Sequence, residues 1–156
     1  KSTGEIIGKD VNLPKALYKG FIASGVNVPD YGTALMTVSD KDKEEIIPLA
    51  KRLISLGYHI VATTGTGKAL EAEGIKVDVI EKINENSNDI LDAIRDGRIN
   101  LVVNTMTEGK TSETDGFLIR REAVENNIPC LTSLDTAEAL LQAMETIHFQ
   151  LEDMSK

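Results

Sequence analysis

A run of threonines and glycines at residues 63–68 has the side chains of this chain best suited to bind an anion. It reads Thr-Thr-Gly-Thr-Gly-Lys and directly follows the apolar residues 60–62. This order predicts a buried strand, a tight turn and a helix that begins at once. Backbone N–H groups and threonine hydroxyls at the positive end of a helix dipole favour negative charge. The run therefore predicts an anion site.

Apolar runs, most of them rich in Val and Ile, alternate with helical patterns along the chain. The runs are 34–38, 59–62, 77–80, 99–103 and 129–131. Alternation with short connections predicts an α/β fold, with a parallel sheet covered by helices on both faces. In such sheets, ligands bind at the carboxyl ends of the strands.

Polar residues follow the predicted strands and would meet at one edge of the sheet. Lys43 comes shortly after the first run, Lys82 after the third and Asn104 directly after the fourth. Two ammonium groups and several hydroxyls suit a phosphate, and an amide can bond to a base or a sugar. Thr37 interrupts the first run and is a candidate lining residue. Each of these residues, taken alone, is explained about equally well by a structural role and by ligand binding. Their shared position after strand ends favours a ligand site.

The glycine-rich run does not satisfy two better-known phosphate motifs. A P-loop needs a glycine at position 62 and a serine or threonine at position 69, where this chain has Ala62 and Ala69. A dinucleotide-binding fingerprint needs a third glycine, where this chain has Leu70. Neither motif is assigned.

Support for catalysis in the sequence is weak, and no catalytic or metal-binding residue is assigned. His59 opens a strand and His148 lies near the end of the chain, so both are interpreted as structural or surface residues. Asp89 is a candidate general base, and its alternative interpretation is the N-cap of a helix. Cys130, the single cysteine, lies in an apolar run and is interpreted as a packed core residue.

Composition restricts the class of partner. The net charge is −8 over 156 residues, and the pI is near 4.8. An acidic surface argues against nucleic acid and anionic membranes as partners. No apolar run approaches a membrane span, and one cysteine cannot form an intrachain disulfide. These features predict a cytoplasmic protein.

The chain is divided by its local patterns into three segments. Residues 1–31 are predicted to be a linker with one helix over 13–23, residues 32–150 the domain proper, and residues 151–156 a tail. Gly57 and Gly97 are predicted C-terminal helix caps. Ser133 or Asp135 is predicted to cap the last helix.

Seven short motifs carry a family resemblance: 1–8 (KSTGEIIG), 16–20 (ALYKG), 42–44 (DKE), 62–66 (ATTGT), 103–105 (VNT), 119–122 (IRRE) and 132–137 (TSLDTA). Together they resemble methylglyoxal-synthase-like domains. More narrowly, they resemble the C-terminal allosteric domain of the large subunit of bacterial carbamoyl phosphate synthase. Residues 1–8 resemble the end of the ATP-grasp half that precedes this domain in the synthase.

The resemblance implies a Rossmann-like three-layer sandwich with a central, mostly parallel five-stranded sheet. It also implies a regulatory role, with UMP as inhibitor and IMP or phosphoribosyl pyrophosphate as activator in some members. Carried over to this chain, the phosphate ligands are Lys43, Thr63, Thr66 and Lys82, with Gly65 giving backbone access. Thr64 is also predicted to be an effector-binding residue. Asn104 and Thr105 would contact ribose or base, and Thr37 would line the floor.

The resemblance further implies partners: a nucleotide effector, the rest of the synthase large subunit and a glutaminase small subunit. No cofactor is expected in this segment, whereas the parent enzyme would use ATP and a divalent metal. Self-association is left open. The competing interpretation is a stand-alone methylglyoxal synthase with Asp89 as its base, although the residues 104–109 lack that family's histidine and second aspartate.

Overall fold

A five-stranded parallel sheet forms the centre of the protein. The computed structural model describes residues 13–23, 25, 28–29, 31–81, 88–105 and 115–154. The strands are β1 (Gly32–Thr37), β2 (Tyr58–Thr63), β3 (Asp78–Ile80), β4 (Leu101–Asn104) and β5 (Cys130–Leu131). All neighbouring strands are parallel, in the order β3-β2-β1-β4-β5. The predicted α/β class is confirmed, as are the five predicted strands, whose ends shift by two residues at most.

Helices follow the strands in alternation. They are α1 (Leu13–Ala23), α2 (Lys43–Ser55), α3 (Thr64–Glu71), α4 (Asp89–Arg95), α5 (Asp115–Glu125) and α6 (Leu134–Met154), with a short 3-10 helix (Asp40–Asp42) before α2.

Several predicted helix ends are confirmed. Gly57 and Gly97 adopt φ values of 105° and 79° just beyond α2 and α4, which is the left-handed region that suits a glycine C-cap. Of the two candidate caps of α6, Ser133 is the one used, since its Oγ accepts the Thr136 N–H at 3.2 Å. The N-cap interpretation of Asp89 is wrong, because the cap position of α4 is Asn88 and Asp89 begins the helix.

Each face of the sheet is covered by a different set of helices. Alternate residues of a strand point to opposite faces. Ala34 and Met36 therefore pack with α2 and α6 in one apolar cluster, whereas Leu35 packs with α4 and α5 in another. Both clusters are mainly aliphatic, as the scarcity of aromatic residues predicts. The result is the predicted three-layer arrangement.

The sheet has a topological switch point between β1 and β4. β2 and β3 lie on one side of β1, and β4 and β5 on the other. The connections from β1 and β4 therefore lead to opposite sides and leave a crevice between their carboxyl ends. This crevice lies where the predicted ligand residues follow their strands.

Helix α1 is packed onto the rest of the fold. It contacts α6, and its Tyr18 and Phe21 pack against the larger apolar cluster. The predicted helix over residues 13–23 is confirmed, whereas the division of the chain at residue 31 stays a prediction. Residues 1–8, which carry part of the family resemblance, lie outside the described residues.

Two groups of ion pairs join helices within the same layer. Arg52 of α2 reaches Glu145 of α6, with Nη2 2.6 Å from Oε1, and also contacts Glu138. Arg95 of α4 lies 2.9 Å from Glu122 of α5. The hydrogen bond from Arg95 is the main reason why the pKa of Glu122 is lowered. These pairs connect neighbouring helices that cover the same apolar cluster.

Cys130 lies in the edge strand β5 and packs against the smaller cluster. Burial raises the pKa of its thiol to about 11, against an opposing effect of Arg120. A thiol with this pKa is almost entirely protonated near neutral pH, and the thiolate is the nucleophilic form. The structure therefore agrees with a packed residue rather than a nucleophile.

We expect iodoacetamide to alkylate Cys130 roughly a hundredfold more slowly in the native chain than in urea at pH 8, because both burial and the raised pKa disfavour the thiolate. Mass spectrometry of quenched samples measures both rates. With one cysteine in the chain, the unfolded chain is its own control. Equal rates in the two states would contradict the structure.

Candidate functional site

The carboxyl ends of the central strands bring five predicted site residues together. Thr37 ends β1, Thr63 ends β2, Asn104 ends β4, and Thr66 and Thr105 follow within a few residues. Except for Thr37, which is half-buried, these side chains have at most 9% of their surface exposed. Buried polar groups require hydrogen-bond partners, so the bonds that they make define the site.

Two threonine hydroxyls hold the backbone that leaves β1. The Val38 N–H donates to Thr66 Oγ1 at 3.1 Å, and the Ser39 N–H donates to Thr105 Oγ1 at 2.9 Å. Thr66 belongs to α3 and Thr105 follows β4, so the two bonds reach to opposite sides of β1. Each hydroxyl keeps its own proton for another acceptor.

A hydrogen bond between two threonine hydroxyls connects the ends of β1 and β2. Thr63 Oγ1 donates to Thr37 Oγ1 at 3.0 Å. Thr63 is also the N-cap residue of α3, but its side chain makes no capping bond to that helix. The Thr63 side chain therefore leaves the first-turn N–H groups of α3 without a capping bond from the cap residue.

Lys43 brings a positive charge to this uncapped turn. A β-carbon built on Gly65 would lie 3.5 Å from both Cε and Nζ of Lys43, so the ammonium lies against the first turn of α3. Lys43 is also the first residue of α2, whose cap residue Asp42 makes no side-chain capping bond. A cation is disfavoured at a helix N-terminus. The ammonium and the first turn of α3 together offer donors to an anion, beside the acidic residues Asp40, Glu44 and Glu45 near the start of α2.

The Lys43 ammonium is paired within its own segment. It donates to Asp40 Oδ1 in the preceding 3-10 helix. The next carboxylate, Asp42, accepts a hydrogen bond from Ser39 Oγ at 2.8 Å. The segment after β1 thus contains both the cation and two carboxylates, and only Asp40 is paired with Lys43 in the described contacts.

Asn104 has a structural contact in this site. Its amide nitrogen donates to the Gly116 carbonyl at 2.8 Å, near the start of α5. The side chain is 2% exposed. Asn104 therefore ties the end of β4 to the helix that follows, and its role as a ribose or base contact stays a prediction.

The remaining predicted ligands lie at the rim or outside the described residues. Thr64 begins α3 and is exposed. Lys68 is exposed further along α3, as expected for a residue outside the site. Lys82, a predicted phosphate ligand, lies outside the described residues, as do residues 106–114.

Groups suited to metal binding or acid–base work are scattered. Among the described residues, no group of three or more His, Cys, Asp or Glu side chains could hold a metal ion. His59, near the start of β2, is exposed, and its Nε2 lies 2.6 Å from Oδ2 of Asp78 at the start of the edge strand β3. Asp89 is exposed in the first turn of α4. In the part of the chain that the structure describes, no helix is long and apolar enough to cross a membrane.

A family model for the MGS-like domain matches residues 45–132, which is more than half of the chain. The chain belongs to the MGS-like domain family. The matched span contains Thr63, Thr66, Asn104 and Thr105, whereas Lys43 lies just before it.

Solved structures share the fold of this MGS-like domain. Methylglyoxal synthase from Elizabethkingia anophelis NUHP1 superimposes with a TM-score of 0.61 at 19% identity, over 73% of this chain and 79% of that one. The protein ForH superimposes with a TM-score of 0.57 at 23% identity, over 77% of this chain and 82% of that one. At these identities the likeness concerns the fold.

Sequence reasoning missed the hydroxyl of Ser39. Ser39 is 8% exposed, and it joins Thr105 through its N–H and Asp42 through its Oγ. The available signal was a serine that directly follows a predicted strand and precedes an aspartate by three residues. The partner Thr105 is 66 residues away in sequence, so no local pattern could have identified it.

Replacement of Thr66 by valine removes the acceptor of the buried Val38 N–H while it keeps the side-chain volume. We expect a loss of about 1–3 kcal/mol in unfolding free energy, the usual cost of a buried donor without a partner. Urea unfolding measures this loss. Hydrogen exchange locates it, because the Val38 amide should lose protection.

Thr66→Ser is the matched control, since it keeps the hydroxyl and should keep the Val38 amide protected. Fast exchange of that amide in both variants, or in neither, would show that the hydroxyl does not hold it.

Proposed function

We propose that this MGS-like domain binds the phosphate of a nucleotide effector and acts as the allosteric domain of a carbamoyl phosphate synthase large chain. The observation that supports it best is the position of Lys43. Its ammonium lies against Gly65, in the first turn of a helix whose cap residue makes no side-chain capping bond. That turn also contains Thr66, whose hydroxyl accepts the Val38 N–H and still has a proton to donate.

The donors of this site are of the kinds that bind a phosphate. A phosphate monoester offers three acceptor oxygens and nearly two negative charges. Lys43 supplies a charge-assisted donor, Thr66 a hydroxyl proton, and the first turn of α3 its backbone N–H groups. UMP is the effector that the family resemblance suggests. Lys82 is a further phosphate ligand in this proposal.

The hydrogen bonds of the site provide a route for regulation. Thr66 connects α3 to the Val38 amide, and Thr105 connects β4 to the Ser39 amide. A ligand that engages Thr66 therefore acts on the segment between β1 and α2, which is also joined to β4. An effector shifts activity only if it binds two states of the enzyme with different affinity. We propose that this segment is the element that differs between the two states.

The parent enzyme in this proposal makes carbamoyl phosphate from bicarbonate, glutamine-derived ammonia and ATP. The rest of the large subunit and a glutaminase small subunit are the proposed partners. The alternative function is a stand-alone methylglyoxal synthase with Asp89 as its base. Asp89 is exposed at the start of α4, and the two functions are separated by assay.

Titration of the chain with UMP by calorimetry tests the proposal. We expect Lys43→Met to weaken UMP binding by roughly tenfold to a hundredfold, the usual loss for one charge-assisted bond. Lys68→Met is the matched control, because it removes the same charge from an exposed position of α3 and should change little. Uridine should bind far more weakly than UMP.

The proposal fails if the chain does not bind UMP at millimolar concentration. It also fails if Lys43→Met and Lys68→Met weaken binding equally, because the effect would then be one of net charge. Production of methylglyoxal from dihydroxyacetone phosphate would instead support the alternative enzyme.

Gly65→Ala separates binding from folding. The new β-carbon would be in ordinary contact with Lys43 at 3.5 Å, and alanine favours a helix over glycine by up to about 1 kcal/mol. We therefore expect a thermal midpoint equal to or above that of the wild type. UMP affinity should fall, because the methyl group occupies space between the ammonium and the helix turn. Unchanged affinity in a stable variant would place the phosphate elsewhere.

A further inference from the structure

The ammonium proposed to hold the phosphate already has a partner in the same chain. Lys43 Nζ donates a hydrogen bond to Asp40 Oδ1, three residues earlier. We infer that Asp40 is a built-in competitor for the anion site: its carboxylate occupies Lys43 in the ligand-free domain and so sets the affinity for phosphate. This inference rests on the proposed function, since the competition matters only if Lys43 binds the effector.

Exposure makes the Asp40 contact easy to displace. The Asp40 side chain is fully exposed, whereas 23% of the Lys43 side chain is exposed. Ion pairs at the surface contribute little to stability, so little is lost when this one opens. A phosphate would meet Lys43 together with the first-turn N–H groups of α3, and it has more charge and more acceptor oxygens than one carboxylate.

Neighbouring contacts keep Asp40 close to the site after displacement. Ser39 is held by Thr105 on one side of Asp40, and Asp42 is held by Ser39 on the other. The Asp42 N–H also donates to the Ser39 carbonyl at 3.0 Å. With Ser39 and Asp42 held in this way, the Asp40 carboxylate stays at a high effective concentration beside Lys43. It competes for the ammonium when the site is empty and repels the anion when the site is full.

The two carboxylates of this segment contact different residues: Asp40 contacts Lys43, and Asp42 contacts Ser39. Asp42 accepts a hydrogen bond from Ser39 Oγ at 2.8 Å and is the cap residue of α2. Its contact fixes the segment. The competing role is assigned to Asp40 because it contacts Lys43, whereas Asp42 supports the segment that positions Lys43.

Asp40→Asn tests the inference in the 156-residue chain, with UMP and inorganic phosphate as probes in calorimetry. We expect both anions to bind on the order of threefold to tenfold more tightly, because the variant releases Lys43 and removes a nearby negative charge. The gain should shrink as salt is added, since screening weakens the repulsion of an exposed charge. Asp40→Ser serves as a second variant without the charge.

Two controls separate competition from a general change of charge. Asp96→Asn removes the same charge from an exposed position after α4, at the opposite end of the sheet, where Asp96 pairs with Arg98. It should leave affinity nearly unchanged. In a Lys43→Met background the gain from Asp40→Asn should be smaller, because the competition for the ammonium is gone and only the repulsion of the anion remains to be removed.

The outcomes distinguish this inference from the proposed function. If the wild type binds UMP but the two Asp40 variants bind it no more tightly than Asp96→Asn does, the inference is overturned and the proposed function stands. Weaker binding by the Asp40 variants also overturns it, since Asp40 would then position Lys43. If the wild type binds neither anion, the proposed function fails and the inference fails with it.

Discussion

The backbone donors that leave the central strand must find acceptors where β1 ends, and this requirement organises the structure around it. Beyond Thr37 the ladder to β2 and β4 stops, yet Val38 and Ser39 remain buried. A buried N–H without a partner is costly. The acceptors are threonine hydroxyls from α3 and from the end of β4, so the positions of both elements are coupled to β1. The candidate site is the place where these bonds meet.

The site offers donors to an anion within a chain whose net charge is negative. The net charge is −8, which repels anions at long range. At the site, Lys43 lies at the start of α2 and against the first turn of α3, with the carboxylates Asp40 and Asp42 in the same segment. Short-range donors and a single cation therefore have to supply the affinity. An arrangement of this kind favours an anion that fits the donors over polyanions in general.

Much of the fold follows from patterns that are local in the sequence. The apolar runs before Thr63 and before Asn104 are strands because they are short, rich in aliphatic residues and followed by turn or helix signals. Gly57 and Gly97 end helices because they adopt φ values that other residues avoid. Asp89 was misassigned as a cap by one position, since several polar residues precede α4 and their spacing does not decide which one caps it.

The pairing of site residues is less accessible from the sequence. Thr66 was recognised as a hydroxyl at a helix start, but its partner, the Val38 amide, is 28 residues away. Asn104 was interpreted as a ligand contact, which stays a prediction, and the sequence did not indicate that its amide nitrogen bonds to Gly116. Ser39 was not recognised at all. Such bonds depend on how the layers pack, and an amide or hydroxyl has the same sequence signature whichever partner it takes.

The sequence by itself determined the α/β class, the strand–helix order and the set of polar residues that follow strand ends, because these depend on periodicity and on local backbone preference. Only the tertiary structure decided that β1 and β4 are neighbours, that Lys43 lies against Gly65 and that Asp40 is its partner. Strand order, and the side chains that come into contact, result from the packing of two apolar clusters on opposite faces of one sheet. That packing is a property of the whole chain, so no short segment contains it.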